Sequence, residues 1–232
     1  MLPKASTVLF LAFAKASLVL GCVPRSESPD LFLGPDTPTA PETVGQFINH
    51  MSLNVNNLTR SIEFYRDVFG MRHLFTYKLT PHISFSYMSH SQGGRNGSAY
   101  QTTAEMLRYK NNNAGHLEFV YLNTTGNDIP GPPKQTSTLN HIGIIVPDLE
   151  AAQERMEAYG VEIHKKIGAP MPTDGYTANK SSIGDASNLS DEEWAAFQAK
   201  MTEFNKLCIF ASDPDGNLLE VLPLNEPNIF AN

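Results

Sequence analysis

Cysteine is nearly absent from this chain: its 232 residues contain only Cys22 and Cys208, which excludes a disulfide scaffold. Basic residues are also in short supply, 17 Lys and Arg against 24 Asp and Glu, for a formal net charge of −7. Without a cationic surface to neutralise phosphates, nucleic-acid binding is disfavoured. Long apolar runs are missing too. The most apolar stretch, residues 6–23, is broken by Lys15, and a spanning helix needs about 20 consecutive apolar residues. What is left, at 41% hydrophobic, 18% charged and 9% aromatic, is the composition of a globular chain. Collagen-like, coiled-coil and largely disordered architectures do not have it, and the length suffices for a real core.

The amino terminus reads separately from the rest. Met1 to Lys4 form a short positive region, residues 6–23 are apolar apart from Lys15, and small residues near Ala14 and Gly21 supply cleavage zones. This pattern predicts a secretory signal peptide over residues 1–22. An acylated lipoprotein anchored at Cys22 is the bacterial variant of the same reading. Residues 23–46, with Pro24, Pro29, Pro35, Pro38 and Pro41, follow as a solvated linker. Cleavage after Cys22 leaves 15 basic and 24 acidic residues, a charge of −9, and Cys208 as the one thiol. The apolar neighbours Leu207, Ile209 and Phe210 predict a buried, inert cysteine there. Asn-x-Ser/Thr sequons at Asn57, Asn96, Asn123, Asn179 and Asn188 fit a secreted glycoprotein.

An internal repeat organises the remainder. Asn49-His-Met-Ser-Leu-Asn-Val55 and Asn140-His-Ile-Gly-Ile-Ile-Val146 open with the same dipeptide and close on the same residue. Each precedes a helix signal. Asn57 caps a stripe of Leu58, Ile62, Tyr65 and Phe69 that Gly70 stops; Asp148 caps Leu149, Ala152, Met156 and Tyr159, stopped by Gly160. Strand patterns follow at residues 74–77, 83–88 and 116–122 in one half, and at 161–165, 207–211 and 218–222 in the other. The halves also end alike, on Leu117-Glu-Phe119 and Leu219-Glu-Val221, the second after the turn Asp213-Pro-Asp-Gly216. The prediction is an α+β fold of two tandem βαβββ modules, residues 47–124 and 140–225, joined by a linker at 125–139.

The duplication carries the chemistry. Alternation along a strand places His50, Ser52 and Asn54 on one face, with Leu53 and Val55 behind; His141, Gly143 and Ile145 repeat the arrangement. Glu118 and Glu220 each lie between apolar neighbours, where an unpaired carboxylate would cost several kcal/mol. Each therefore needs a partner, and the repeat supplies one His and one Glu per module. Two imidazoles and two carboxylates related by pseudo-twofold symmetry are a mixed nitrogen/oxygen set for a divalent transition metal. Buried His–Glu ion pairs without metal are the simpler alternative. The remaining histidines, 73, 82, 90, 116 and 164, have no symmetry partner and read as surface or core residues.

The pattern resembles glyoxalase I (lactoylglutathione lyase), within the vicinal-oxygen-chelate superfamily of paired βαβββ modules that form a cup-shaped sheet. The resemblance covers residues 47–222 and rests on Ser61-Ile-Glu-Phe-Tyr65 with Phe69-Gly-Met71, on His141-Ile-Gly-Ile-Ile-Val-Pro-Asp148, and on Asp213-Pro-Asp-Gly-Asn-Leu-Leu-Glu220. It implies metal ligands at His50, Glu118, His141 and Glu220, with a histidine at the first position as in nickel- or cobalt-preferring members; zinc members usually carry Gln there. It further implies Lewis-acid stabilisation of an enediolate, with Glu220 as the main base and Glu118 as its partner. The set closes either within one chain or between exchanged halves of a homodimer. Two rival readings stay open. One is an extradiol-type ring-cleaving dioxygenase using iron at His50, His141 and Glu220, although Glu118 would fill the position oxygen needs. The other is a non-catalytic small-molecule-binding member, which usually lacks the ligands.

The resemblance thins at substrate-gripping positions. The family's first-strand Arg falls on Asn54, its Arg before the second metal His on Ser137, and an Asn after the first metal Glu on Leu122. Lys165 retains the place of a carboxylate-binding lysine. Asn54 and Lys165 are therefore candidate substrate contacts, together with Arg95 in the glycine-rich stretch 93–98, whose simpler reading is a flexible surface connection. The insertion 171–205 predicts a helix from Ser190, with Glu193 completing a capping box and Trp194, Phe197, Met201 and Phe204 as its apolar stripe. It packs on the core or forms a lid over the cup.

Overall fold

The computed structural model describes residues 34–94, 97–126, 128–130, 138–173 and 189–225. The predicted signal peptide lies outside the described residues, as do Arg95, Ser137 and the sequons at Asn96, Asn179 and Asn188. Among the described residues no helix is long and apolar enough to cross a membrane. Of the terminal unit, the residues up to Gln46, the structure describes a 3-10 turn at Pro41–Thr43. The unit Phe47–Asn228 holds the rest.

That unit is α+β and contains two four-stranded mixed sheets. In the first module β1 (His50–Val55) leads into α1 (Leu58–Asp67), then β2 (Arg72–Lys78), β3 (Ile83–Ser89), α2 (Thr103–Arg108) and β4 (His116–Leu122). The second runs β5 (Ile142–Val146), α3 (Leu149–Ala158), β6 (Ile163–Lys165), α4 (Asp191–Phe204), β7 (Ile209–Ser212) and β8 (Leu218–Pro223). The strand orders are β1-β4-β3-β2 and β5-β8-β7-β6. In both sheets the first strand pairs parallel with the last, and the other pairings are antiparallel. The paired βαβββ modules read from the sequence are present.

Local chemistry sets the helix boundaries. The Asn57 side chain accepts from Arg60 N at 3.0 Å, and Asp148 from Ala151 N at 2.9 Å. Both satisfy an N–H that the first helical turn leaves without a partner. Gly70 and Gly160, with φ of 71° and 66°, take the left-handed conformation that ends each helix. Ser190 accepts from Glu193 N at 3.2 Å to start α4. A reciprocal box closes in α2, where Thr102 and Glu105 exchange bonds.

Each sheet buries one face. Leu53 and Val55 of β1 pack with Leu117 and Phe119 of β4, Met88 of β3 and Tyr65 of α1. On the second sheet Ile209, Ala211 and Val221 pack with Leu149 and Met156 of α3. Helix α1 joins the two cores: Ile142 and Leu219 enter the first cluster, while Val68, Phe64 and Phe69 pack into the second. Full burial of one such side chain contributes about 1.5–3 kcal/mol.

A polar tie reinforces this junction. The β7–β8 turn buries Asp213, whose carboxylate accepts from Tyr65 OH and Asp215 N at 2.9 Å and from the backbone and side-chain nitrogens of Asn217 at 2.8 Å. Burial pushes the Asp213 carboxyl up from its ordinary range, against the pull of those hydrogen bonds. Burial, followed by the Asp213 charge, raises the Tyr65 phenol as well. Asp215 accepts from Asn56 N at 3.1 Å and from Arg60 and Ser61 at 3.0 Å. Two aspartates of the second module thus hold the first module's helix, Asp215 at its start and Asp213 near its end.

Candidate functional site

The opposite faces of the two sheets carry the polar residues singled out by the repeat. His50 opens β1, and the parallel register sets Ser52 beside Glu118 of β4. His50 Nε2 lies 3.8 Å from Glu118 Oε2, an ion-pair separation beyond hydrogen-bond reach. His141 immediately precedes β5, where Gly143 is in register with Glu220 of β8. His141 Nε2 lies 3.1 Å from Glu220 Oε2. Side-chain exposures nearly match, 38% and 19% in the first pair against 36% and 16% in the second. The repeat has built the same half-site twice.

The residue before each histidine belongs to the half-site. Asn49 Oδ1 lies 3.1 Å from His50 Nδ1, and Asn140 Oδ1 lies 2.7 Å from His141 Nδ1. In His141 both ring nitrogens contact an acceptor, and the bond to Glu220 raises its pKa against the effect of burial. In the metal-free chain the Glu220 contact thus favours the charged imidazole over the neutral one.

The neighbours of the two carboxylates differ. Tyr87 of β3 stands across from Glu118, and Phe210 of β7 stands across from Glu220. The Tyr87 ring lies 5.4 Å from His50 and stacks on Phe75 at 5.0 Å. Burial raises the Tyr87 phenol, and the charge of Glu118 raises it further. Lys110 Nζ sits 5.0 Å from the centre of the same ring.

The four predicted ligands form two pairs rather than one cluster. Among the described residues, no group of three His, Cys, Asp or Glu side chains comes close enough to hold a metal ion. Both histidines line a single cavity of about 430 Å³, along with Met51, Ile142, Ile145 and the buried His116. A divalent ion fits each pair as half of a coordination set. Bonds of about 2.0–2.2 Å place neighbouring donors roughly 3 to 3.4 Å apart; the 3.1 Å separation of the second pair falls within that range and the 3.8 Å separation of the first lies above it. Each pair supplies one nitrogen and one oxygen, with the other ring nitrogen already engaged.

The candidate substrate contacts scatter. Asn54 is exposed on the same face as His50. Lys165 is only 2% exposed, and its ammonium donates to Cys208 O at 3.0 Å and Lys166 O at 3.1 Å. Burial lowers its pKa. As placed, it serves the backbone of its own sheet and presents no ammonium to an outside carboxylate. Cys208 is buried, as its apolar surroundings predict, and its Sγ–H donates to Asn205 O at 3.1 Å. Met171, in the insertion, packs beside Phe210, Leu218 and Leu222, the strand face that carries Glu220. Helix α4 buries none of its residues fully. Trp194 and Phe197 stack on each other at 5.1 Å, and Phe204 is 63% exposed, so the expected stripe is only partly covered.

Sequence reasoning passed over Asn49, Asn140, Tyr87 and Asp213 as working residues. The repeated Asn-His dipeptide was a usable signal for the first two. The other two depend on cross-strand register and on packing between modules.

A sequence model described as the Glyoxalase/Bleomycin resistance protein/Dioxygenase superfamily matches residues 47–221. The chain belongs to this superfamily. Its members generally bind a divalent metal and small molecules and often pair as dimers. The trypanothione-dependent glyoxalase I of Leishmania major is 18% identical, with a TM-score of 0.43, over 77% of this chain and 86% of that one. Glyoxalase I from Zea mays is also 18% identical at a TM-score of 0.43, over 75% of this chain and 43% of that one. An antibiotic-binding protein from a Streptomyces species is 14% identical at 0.38, over 77% and 95%. No curated protein matches the chain.

Proposed function

We propose that the protein is a secreted, metal-dependent enzyme of glyoxalase I type, an isomerase or lyase that moves a proton between adjacent carbons of a small substrate with vicinal oxygens. The single observation that carries this reading is the duplicated Asn-His/Glu half-site, at the same register position in both sheets. The leader at residues 1–22 and the sequons support export. Because each chain presents two half-sets, we place the complete center between exchanged halves of two chains, with His50 and Glu118 from one and His141 and Glu220 from the other.

A divalent ion there supplies Lewis acidity at the substrate's adjacent oxygens. The chain's own residues do the rest. The imidazoles would hold the ion, beside the apolar cavity residues Met51, Ile142 and Ile145. Glu220 takes the proton next to the carbonyl and returns it to the neighbouring carbon. It suits that role because Phe210 opposite offers it no hydrogen bond, whereas Glu118 faces the Tyr87 phenol. Asn54 is uncharged and Lys165 is held by carbonyls, so these positions do not assemble the cationic grip that a glutathione carboxylate needs. A small oxygenated substrate is therefore the general form of the proposal, and lactoylglutathione lyase is its most specific form.

The test is metal content by plasma mass spectrometry on the secreted protein and on His141→Ala, followed by a hemithioacetal assay. Nickel, cobalt or zinc near one per chain, lost in the variant, is the expected result. Bound iron with oxygen consumption would replace the proposal by ring-cleaving chemistry, and no metal after reconstitution would leave a binding protein.

A further inference from the structure

We propose that Asn49 is a positioning residue: it holds His50 in the Nδ1–H form and so presents the Nε2 lone pair toward Glu118 for a metal ion, and Asn140 does the same for His141. The inference rests on the metal-center reading above and adds to it the groups that set the imidazoles' tautomer and ring direction.

The amide of Asn49 is anchored through both of its hydrogens. Its Nδ2 donates to Lys110 O at 2.9 Å and to Asn113 O at 2.6 Å, so both amide hydrogens have a carbonyl to meet. That fixes which way the amide faces, because the reverse orientation would set its oxygen against two carbonyl oxygens. Oδ1 is therefore the atom 3.1 Å from His50 Nδ1. A carboxamide oxygen only accepts, so Nδ1 must carry the proton. In the neutral ring Nε2 then points a lone pair at Glu118 Oε2, 3.8 Å away. Two electron-rich atoms face each other across a gap too wide for a shared proton, and a cation relieves that opposition.

The anchor is itself secured. Lys110 O also receives His116 Nε2 at 2.9 Å, and His116 N donates to Asn49 O at 3.2 Å. His116 is 1% exposed, so the turn that grips the Asn49 amide is fixed to the core. The pseudo-symmetric copy supplies an independent instance. Asn140 stands one residue before His141 and uses the same atom, at 2.7 Å from Nδ1. With Nδ1 engaged by that carboxamide oxygen, Nε2 is the ring nitrogen left for a metal ion, 3.1 Å from Glu220 Oε2.

The test uses the full chain, stripped of metal, as wild type and as Asn49→Ala, Asn140→Ala and Asn140→Asp. NMR of the imidazole nitrogens at mildly alkaline pH should show His50 protonated at Nδ1 in wild type and as a tautomer mixture in Asn49→Ala. Calorimetric titration with nickel(II) should show both alanine variants binding about 10- to 100-fold more weakly. Asn140→Asp, which keeps the acceptor, should return to near wild-type affinity. An unchanged His50 tautomer in Asn49→Ala, or alanine variants with wild-type nickel affinity, overturns the proposal. Should wild type bind no nickel, the metal reading fails, while the His50 tautomer still decides the role of Asn49. If Asn49→Ala does not fold, Asn140→Ala against Asn140→Asp decides through nickel affinity.

Discussion

The first module places its extra chain between β3 and β4, where α2 and a 3-10 turn at Lys110–Asn112 lie; the second places it between β6 and β7, where α4 lies. The His–Glu geometry is nevertheless repeated. The reason lies in which strands carry it. Each pair sits on or directly beside the first and last strands of its module, which run parallel and in register, and neither insertion interrupts that pairing. The outer strands and their connections were free to diverge. Divergence appears one strand away, where Tyr87 faces Glu118 and Phe210 faces Glu220. It appears again in the β7–β8 turn, whose two aspartates reach across to α1.

The comparison of the two carboxylates breaks most sharply under substitution. Glu220→Gln should lower kcat about 100- to 10,000-fold, the usual contribution of a general base. Glu118→Gln should act mainly on metal affinity, with a smaller loss in kcat. Steady-state kinetics at saturating metal separate the two, and equal kcat losses would show that the Tyr87/Phe210 difference has no catalytic meaning.

The inter-module tie comes next. Asp213→Ala should destabilise the protein by about 3 to 4 kcal/mol, because it leaves Tyr65 and Asn217 buried without their acceptor. Tyr65→Phe removes one of those bonds and should cost about 1 to 2 kcal/mol. Thermal or denaturant unfolding measures both, and an equal cost for the two variants would mean that the turn is held by α1 alone.

The smallest effect is electrostatic. The pKa of His141 is raised above 6.5 in the folded, metal-free chain, chiefly by its bond to Glu220. The folded state therefore binds a proton more tightly than the unfolded state. This contribution to stability is fully present below the unfolded value and is lost as pH rises through the raised folded value. Denaturation midpoints of wild type and His141→Ala in chelator should therefore converge from mildly acidic to alkaline pH. A gap that widens would reverse the sign and remove the His141–Glu220 bond as its source.

Much of this was legible in the residue order. Asn57 and Asp148 announced two helix starts, Gly70 and Gly160 two stops, and the Leu-Glu-apolar endings the last strand of each module. These are local signals, set by backbone hydrogen bonds and side-chain alternation within a few residues. The His–Glu pairs were legible for a related reason: the repeat applied one local rule twice. Lys165 was misleading, because its position suggested a ligand contact, while burial turned its ammonium to backbone carbonyls. The helical stripe ending at Phe204 was read correctly as a helix, but only packing could say how little of it would be covered.

By itself, then, the sequence determined the two βαβββ modules, the face each strand presents and the identity of the paired histidines and glutamates, because strand period and capping chemistry act over short distances along the chain. Only the tertiary structure decided that these four residues stand as two pairs, that Asn49 is gripped by a turn more than 60 residues away, and that Asp213 ties one module to the other's helix. Those outcomes depend on which surfaces meet when α1 packs between two cores, and no pattern within a single strand or helix records that.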